Sequence, residues 1–257
     1  MGHSEEYIIR NGELQSLQPA SQVYVYQDIH TLSHTPRHAA QHLRIIDHAA
    51  QKLFGINCKL SIKELENTIL RLLDSTYTTH NTSACVRLRL YASGECSLQL
   101  REVSIYRGYA LRSLRYEATF VAVNAPLGNY PTSAMVATRD LLQQMAQARD
   151  LHFLIMTTPD AHIISECCEP LMMIKNRVLY VPSFTMPSAE QQLMERVAVR
   201  LGLKVAHENI TVQQLKDADE VFILSWQGIT AMGHINQRTY MSTLAEHLAA
   251  EMEKQFT

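Results

Sequence analysis

No run of apolar residues in this 257-residue chain reaches the ~18 that a membrane-crossing helix needs. The best stretches, Ala118 to Val123 and Val221 to Trp226, have strand length, so a soluble protein with no membrane partner is expected. Nor is there an excess of either charge. Lys and Arg number 23 against 25 Asp and Glu, a formal net charge of −2, which argues against a dedicated nucleic-acid binder and against an acidic tail. Nothing repeats at a fixed period. The opening MGHSEEYIIRNGEL carries acids where a signal peptide needs a basic region, and it lacks the apolar core of one. Together with five cysteines, an odd number, this predicts a reducing, cytoplasmic setting, with the adjacent Cys167 and Cys168 read as two reduced thiols. Also missing are G-x-G-x-x-G, the P-loop, G-x-S-x-G, H-E-x-x-H and paired C-x-x-C, so Rossmann cofactors, phosphoryl transfer, triad hydrolysis and structural zinc have no motif support.

What remains is a folded globular composition, 46% apolar and 19% charged, at a length suited to one or two domains of ~150 residues. Asn11-Gly12 lies between Tyr7-Ile8-Ile9 and the alternating Val23-Tyr24-Val25-Tyr26, an opening hairpin or meander. Thr35 as N-cap and Pro36 at the first helical position open a helix through Ala39, Leu43, Ile46, Ala50 and Leu53, which Gly55 ends. Ser61 and Glu64 form a capping box for a second helix through Leu65, Ile69, Leu72 and Leu73. Residues 84–91 and 96–106 read as paired strands about Ser93-Gly94.

Two prolines, a glycine and two asparagines crowd Asn124-Ala-Pro-Leu-Gly-Asn-Tyr-Pro131, which is read as a linker. The expected organisation is a small N-terminal α+β domain over 1–123, the linker 124–131, and a large C-terminal domain over 132–257. The second half alternates. A helix from about Ser133 to Arg149 precedes strands at 152–157, 161–165 and 171–181 and a helix from Ala189 to Leu201. A strand at 203–208, a short helix capped by Thr211 and Gln214, a strand at 220–225 and a closing helix from Thr239 follow.

Gln214-Leu-Lys-Asp-Ala-Asp-Glu-Val-Phe-Ile-Leu-Ser-Trp-Gln-Gly-Ile-Thr-Ala-Met-Gly-His-Ile235 resembles the C-terminal signature of the class IV aminotransferases, the fold-type IV pyridoxal-phosphate (PLP) enzymes. These include branched-chain and D-amino-acid aminotransferases and aminodeoxychorismate lyase. The stretch Ile164 to Pro182 resembles the family's "(I/V)-(S/T)-E" strand pair, one residue short between Glu166 and the turn. Asn11 to Leu14 resembles its "NGxL" opening, and His42 to Ala50 its "HLxRLxxSA" helix. The resemblance implies a D-amino-acid aminotransferase-like two-domain α/β fold, a homodimer, and PLP held as a Schiff base on a lysine just after the linker.

That neighbourhood here reads Asn129-Tyr-Pro-Thr-Ser-Ala-Met-Val136, without a lysine; the only lysines are Lys52, Lys59, Lys63, Lys175, Lys204, Lys216 and Lys254. The arginine of the family's helix aligns with Ile45, and Arg44 stands one position away, ~100° around the helix. Where the family opens a helix beneath the phosphate stands Ser188-Ala189-Glu190-Gln191, a capping box that saturates the same N–H groups while Glu190 adds negative charge. The family's small hydroxyl residue falls near Trp226 and Gln227, and an indole there fills volume. Glu166 alone keeps its family position, opposite the pyridine nitrogen; the plain alternative is a strand-end carboxylate in water. Between Asp28 and His42 the family's Gly-rich strand is replaced by thirteen residues without glycine, which shortens one pocket wall.

The expected function is therefore a class IV aminotransferase-like protein without catalytic lysine, a non-catalytic binding or structural protein of unknown small-molecule or protein ligand, with no cofactor favoured. The alternative is an active PLP-dependent aminotransferase or aminodeoxychorismate lyase-type enzyme. His30, His34, His38 and His42 recur every four residues, but Pro36 breaks the helix, only His38 and His42 can share a face, and no metal site is assigned. Arg101, Arg107, Arg112 and Arg115 with Tyr106, Tyr109 and Tyr116 imitate an RNA-binding face, yet are read as a solvated strand edge.

Overall fold

The computed structural model describes residues 7–10, 12–16, 23–76, 82–124, 127–166, 169–183 and 186–256, with backbone alone at 7, 8, 16, 113–117, 153 and 166. By internal contacts the chain divides into one unit of residues 1–108 with 131–133, and a second of 109–130 with 134–257. This division and the expected boundary at 124–131 do not coincide, because the strand that precedes that segment already pairs within the second sheet.

In the first unit β1 (Tyr7–Arg10), β2 (Glu13–Ser16), β3 (Tyr24–Leu32), β4 (Thr35–Pro36), β5 (Ser83–Tyr91) and β6 (Cys96–Ser104) form an antiparallel sheet of order β2-β1-β6-β5-β3-β4 among the described residues. Two helices, α1 (Ala39–Phe54) and α2 (Ile62–Ser75), pack on β3 and β6. Helical spacing puts Leu43, Ile46 and Ala50 of α1 and Leu65, Ile69 and Leu72 of α2 on their buried faces, opposite Val25, Ile29, Val86 and Leu88 of the sheet. The Ser61–Glu64 capping box is fully formed.

Two sequence expectations change here. The Asn11-Gly12 turn joins β1 to Glu13–Ser16, not to Val23–Tyr26, which opens β3 and pairs with β5. Asn11 itself lies outside the described residues. Pro36 is not in the helix: it pairs with Thr31 across a two-residue turn in which Ser33 and His34 both take positive φ (53° and 62°), and α1 begins at Ala39 after a left-handed His38. Neither turn residue is glycine, so the usual sequence mark of such a hairpin is missing.

The second unit contains β7 (Ala110–Ala122), β8 (Phe153–Thr157), β9 (Ile163–Glu166), β10 (Leu171–Lys175), β11 (Val178–Pro182), β12 (Lys204–Glu208), β13 (Glu220–Ser225), β14 (Gly228–Ile235) and β15 (Arg238–Thr239). Its mixed sheet runs β12-β11-β10-β13-β14-β7-β8-β9, with β15 on β14. Four helices, α3 (Ser133–Gln147), α4 (Ala189–Arg200), α5 (Val212–Lys216) and α6 (Thr243–Lys254), accompany it. Strand β13 is buried throughout: Val221 and Ile223 enter one core with Met135 and Leu142 of α3, and Phe222 and Leu224 another with Val197 of α4 and Leu248 of α6. Burial on both faces accounts for its unbroken apolar run. The closing helix starts at Thr243, not Thr239, which lies in β15. Its first turn is capped from outside: the buried Glu220 carboxylate accepts from the N–H groups of Leu244 and Ala245, both at 2.8 Å. No helix among the described residues is long and apolar enough to cross a membrane.

Candidate functional site

The segment that joins the halves meets both units. In the first, Tyr26 N–H donates to Pro131 O (2.8 Å), Tyr24 N–H to Ser133 Oγ (3.5 Å), and Thr132 bridges Val25. In the second, Asn124, Asn129, Tyr130, Thr158 and Ile164 line an open cleft of about 870 Å³. No lysine lines this cleft among the described residues, and residues 125 and 126 lie outside them. Six of the seven lysines are exposed, and Lys175, beside the β10–β11 turn, is half-buried.

Glu166 ends β9 with its backbone paired to Ile155 of β8, while its side chain, like Cys167 and Cys168, lies outside the described residues. The next acid along, Glu169, accepts from Arg139 Nη1 at 3.2 Å.

At the head of α4, Ser188 is extended (φ −134°, ψ 143°) and its Oγ accepts from Gln191 N–H at 3.3 Å. Only half of the expected capping box forms, because the Gln191 amide turns away and donates to Glu195 Oε1 (2.9 Å). The place is taken by Glu190, 3% exposed, whose carboxyl accepts from Ser188 Oγ (3.0 Å) and Tyr109 Oη (3.4 Å). Burial pushes the Glu190 carboxyl up to about 7; hydrogen bonds from its own backbone, Ser188 and Tyr109 oppose the rise and the charge of Glu169 adds to it. Tyr109 also ties this corner to α6, its N–H donating to Glu253 Oε2 at 2.6 Å.

Trp226 and Gln227 form the turn between β13 and β14, both buried, at 8% and 6% exposure. Gly228 follows at φ +110°, and a Cβ there would lie 2.6 Å from Ala110 O, so the approach of β7 fixes this residue as glycine. Gln227 O accepts from Ala110 N–H, and Thr230, one turn of the pleat onward, accepts from Arg112 Nε at 3.1 Å.

The first unit holds a buried polar set that sequence reasoning missed. Arg87 grips Asp28 bidentately (2.7 and 2.6 Å) with its guanidinium 4.3 Å from the Tyr26 ring centre. Burial alone would lower the guanidinium pKa, but the hydrogen bonds and charge of Asp28 raise it above its ordinary value. His42 Nδ1 meets Gln27 Oε1 (2.9 Å) and His30 Nε2 meets Ser83 Oγ (3.1 Å). Burial holds both imidazoles down to about 3, with Arg37 and His38 adding for His30, so both are neutral at physiological pH. His34 instead pairs with Asp74 (3.0 Å). Alternation carries a partial signal: Tyr24, Tyr26, Asp28 and His30 share one face of β3, and β5 presents Ser83, Arg87 and Arg89 in antiparallel register with them. That register, and the Gln27–His42 contact on the other face against α1, are set by pairing and packing that the sequence does not display. Among the described residues no three His, Cys, Asp or Glu groups could hold a metal ion. On α1, Ile45 is buried, whereas Arg44 is exposed and donates to Ala40 O.

The arginine–tyrosine cluster is not one solvated edge. Arg101, Arg107 and Tyr106 are exposed, but Tyr109 is buried against α4 and α6 and Arg112 is bonded to Thr230; the side chains of Arg115 and Tyr116 lie outside the described residues.

The sequence matches no protein of curated function. Solved structures give a whole-chain likeness of fold. A branched-chain aminotransferase from Thermoproteus uzoniensis, solved with norvaline, superposes at TM-score 0.80 and 15% identity, covering 98% of this chain and 94% of its own. An aminotransferase from Brucella abortus bound to PLP gives 0.79 at 13% identity over 98% and 99%. The Escherichia coli branched-chain amino acid aminotransferase gives 0.77 at 17% identity over 95% and 92%. The family profile "Amino-transferase class IV" matches residues 29–232, most of the chain. With profile, element order and two-unit α/β fold in agreement, the chain belongs to the class IV aminotransferase family.

Proposed function

We propose that this class IV aminotransferase-like protein forms no Schiff base with PLP and acts as a non-catalytic binding or structural protein. The carrying observation is the placement of lysine. None occurs between Lys63 and Lys175, a span that includes the whole joining segment, and no described lysine is buried. A C=N bond to the cofactor needs an amine, and Thr132 and Ser133 offer hydroxyls.

The phosphate end supports the same reading. The residues at the head of α4 do not fit the group: the Gln191 N–H is taken by Ser188, and a buried carboxyl stands where an anion would bind. Arg44 points to solvent, and buried Ile45 and Trp226 occupy positions where the family keeps polar contacts. Glu166 is left as the one family-position contact to the cofactor. The reading includes a homodimer, by analogy with the family's active forms, and a cytoplasmic setting, supported by the free thiols of Cys58, Cys85 and Cys96.

Calorimetric titration with PLP tests it. Charge-assisted phosphate bonds contribute roughly 1.5–3 kcal/mol each, so loss of several predicts a dissociation constant weaker than micromolar. A micromolar or tighter constant would favour the second reading, an active aminotransferase or aminodeoxychorismate lyase-type enzyme. That reading draws on the near full-length agreement with the PLP-bound Brucella abortus structure.

A further inference from the structure

The first unit brings two thiols together, Cys58 and Cys96. Cys58 lies in the loop between α1 and α2, its N–H donating to Asp47 Oδ1 at 2.7 Å, and Cys96 opens β6. Their side chains are hydrogen-bonded to each other, and Leu60 N–H also donates to the Cys58 sulfur. Period-two alternation puts Cys96 and Leu98 on one face of β6. Both line an open cleft of about 340 Å³ with Leu60, Glu64, Thr68 and Lys59, the neighbour of Cys58 in the chain, so a small oxidant has a path to Cys96 and to the residues beside Cys58. Neither cysteine is fully buried. Cys85, by contrast, is enclosed within β5, and burial raises its thiol well above the ordinary range.

We propose that Cys58 and Cys96 form a reactive dithiol, a modification site that hydrogen peroxide converts reversibly into an intrachain disulfide, with Cys58 as the attacking thiolate. The Cys58 sulfur, accepting two hydrogen bonds, attacks one peroxide oxygen; the S–O bond forms, the O–O bond breaks, and the leaving hydroxide takes a proton to become water. The Cys96 sulfur then attacks the resulting Cys58 sulfenic acid. The S–S bond forms, the S–O bond breaks, and the departing oxygen leaves as a second water with the Cys96 proton. Two thiols lose two electrons and one peroxide is reduced to two waters. The hydrogen bonds from Cys96 and Leu60 draw the Cys58 thiol down to about 7 despite partial burial and the opposing charge of Asp47, while the donor role and burial push Cys96 up. As the acceptor of the Leu60 N–H and the Cys96 S–H, Cys58 is assigned the attack, and Cys96, the donor, the resolution. The proposal needs no cofactor and stands apart from the reading of the joining segment.

The test treats the full chain with hydrogen peroxide, alkylates remaining thiols, and maps peptides by mass. The expected result is a Cys58–Cys96 cross-link lighter by two hydrogens, reversed by dithiothreitol, with Cys85 still fully alkylated. In the C96S variant, Cys58 sulfenic acid should accumulate and be trapped by dimedone; in C58S, Cys96 should stay reduced. Should either variant fail to fold, the unmodified protein still decides: at pH 7 iodoacetamide should label Cys58 roughly tenfold faster than Cys96. Complete alkylation of both cysteines after peroxide treatment, a cross-link between other cysteines, or equal labelling rates would overturn the proposal.

Discussion

Glu190 is a buried carboxyl that accepts from Ser188 and Tyr109, and its protonation follows from that burial. Its pKa rises from an ordinary 4.5 to about 7, so the folded chain binds this proton more tightly than the unfolded one. The stability it contributes is fully present below pH 4.5 and is lost as pH rises through 7. Glu190→Gln keeps the acceptor for Ser188 without the charge. It should therefore raise stability at pH 8 by up to about 3 kcal/mol and leave stability near pH 4 almost unchanged, as read from urea unfolding at the two pH values. An equal loss at both would show that the carboxyl is needed for packing and not penalised by its charge. Arg87 is the opposite case, a buried charge that is kept because the hydrogen bonds and charge of Asp28 outweigh the burial.

Among the elements, the β13–β14 hairpin bears most on the proposed function. Trp226 is buried at its turn, and Gly228 closes that turn against β7. Trp226→Ala should cost about 3–5 kcal/mol in chemical unfolding, the usual cost of truncating a buried aromatic, and the single tryptophan should emit blue-shifted fluorescence indifferent to PLP. A loss below about 1 kcal/mol with quenching by low PLP would mean an open pocket. The helices show what sequence can and cannot reveal. The Ser61–Glu64 and Thr211–Gln214 boxes were legible because each helix carries its own cap within four residues. The start of α6 was not, because its cap is Glu220 on a different strand. The start of α1 was misplaced because Ser33 and His34 adopt left-handed backbone that their side chains do not advertise. For the candidate site, the burial of Trp226 and Ile45 was legible from order along the family's motifs. Asp28–Arg87 and Gln27–His42 were hidden because they depend on strand register and helix packing.

Across the whole molecule, the chain keeps the class IV fold, and the proposed function adds that it does so without a Schiff-base lysine. Among the described residues two sheets and six helices form, and the family profile matches over 29–232, because apolar patterning and local caps specify the fold. A site, unlike a fold, depends on single residues, so the two can part. The measurement that bears most directly on this account is borohydride reduction of the protein after incubation with PLP, followed by intact mass and peptide mapping. The account predicts an unmodified mass, or scattered substoichiometric addition among exposed lysines such as Lys52 and Lys204. Stoichiometric addition of one phosphopyridoxyl group at a single lysine would contradict it.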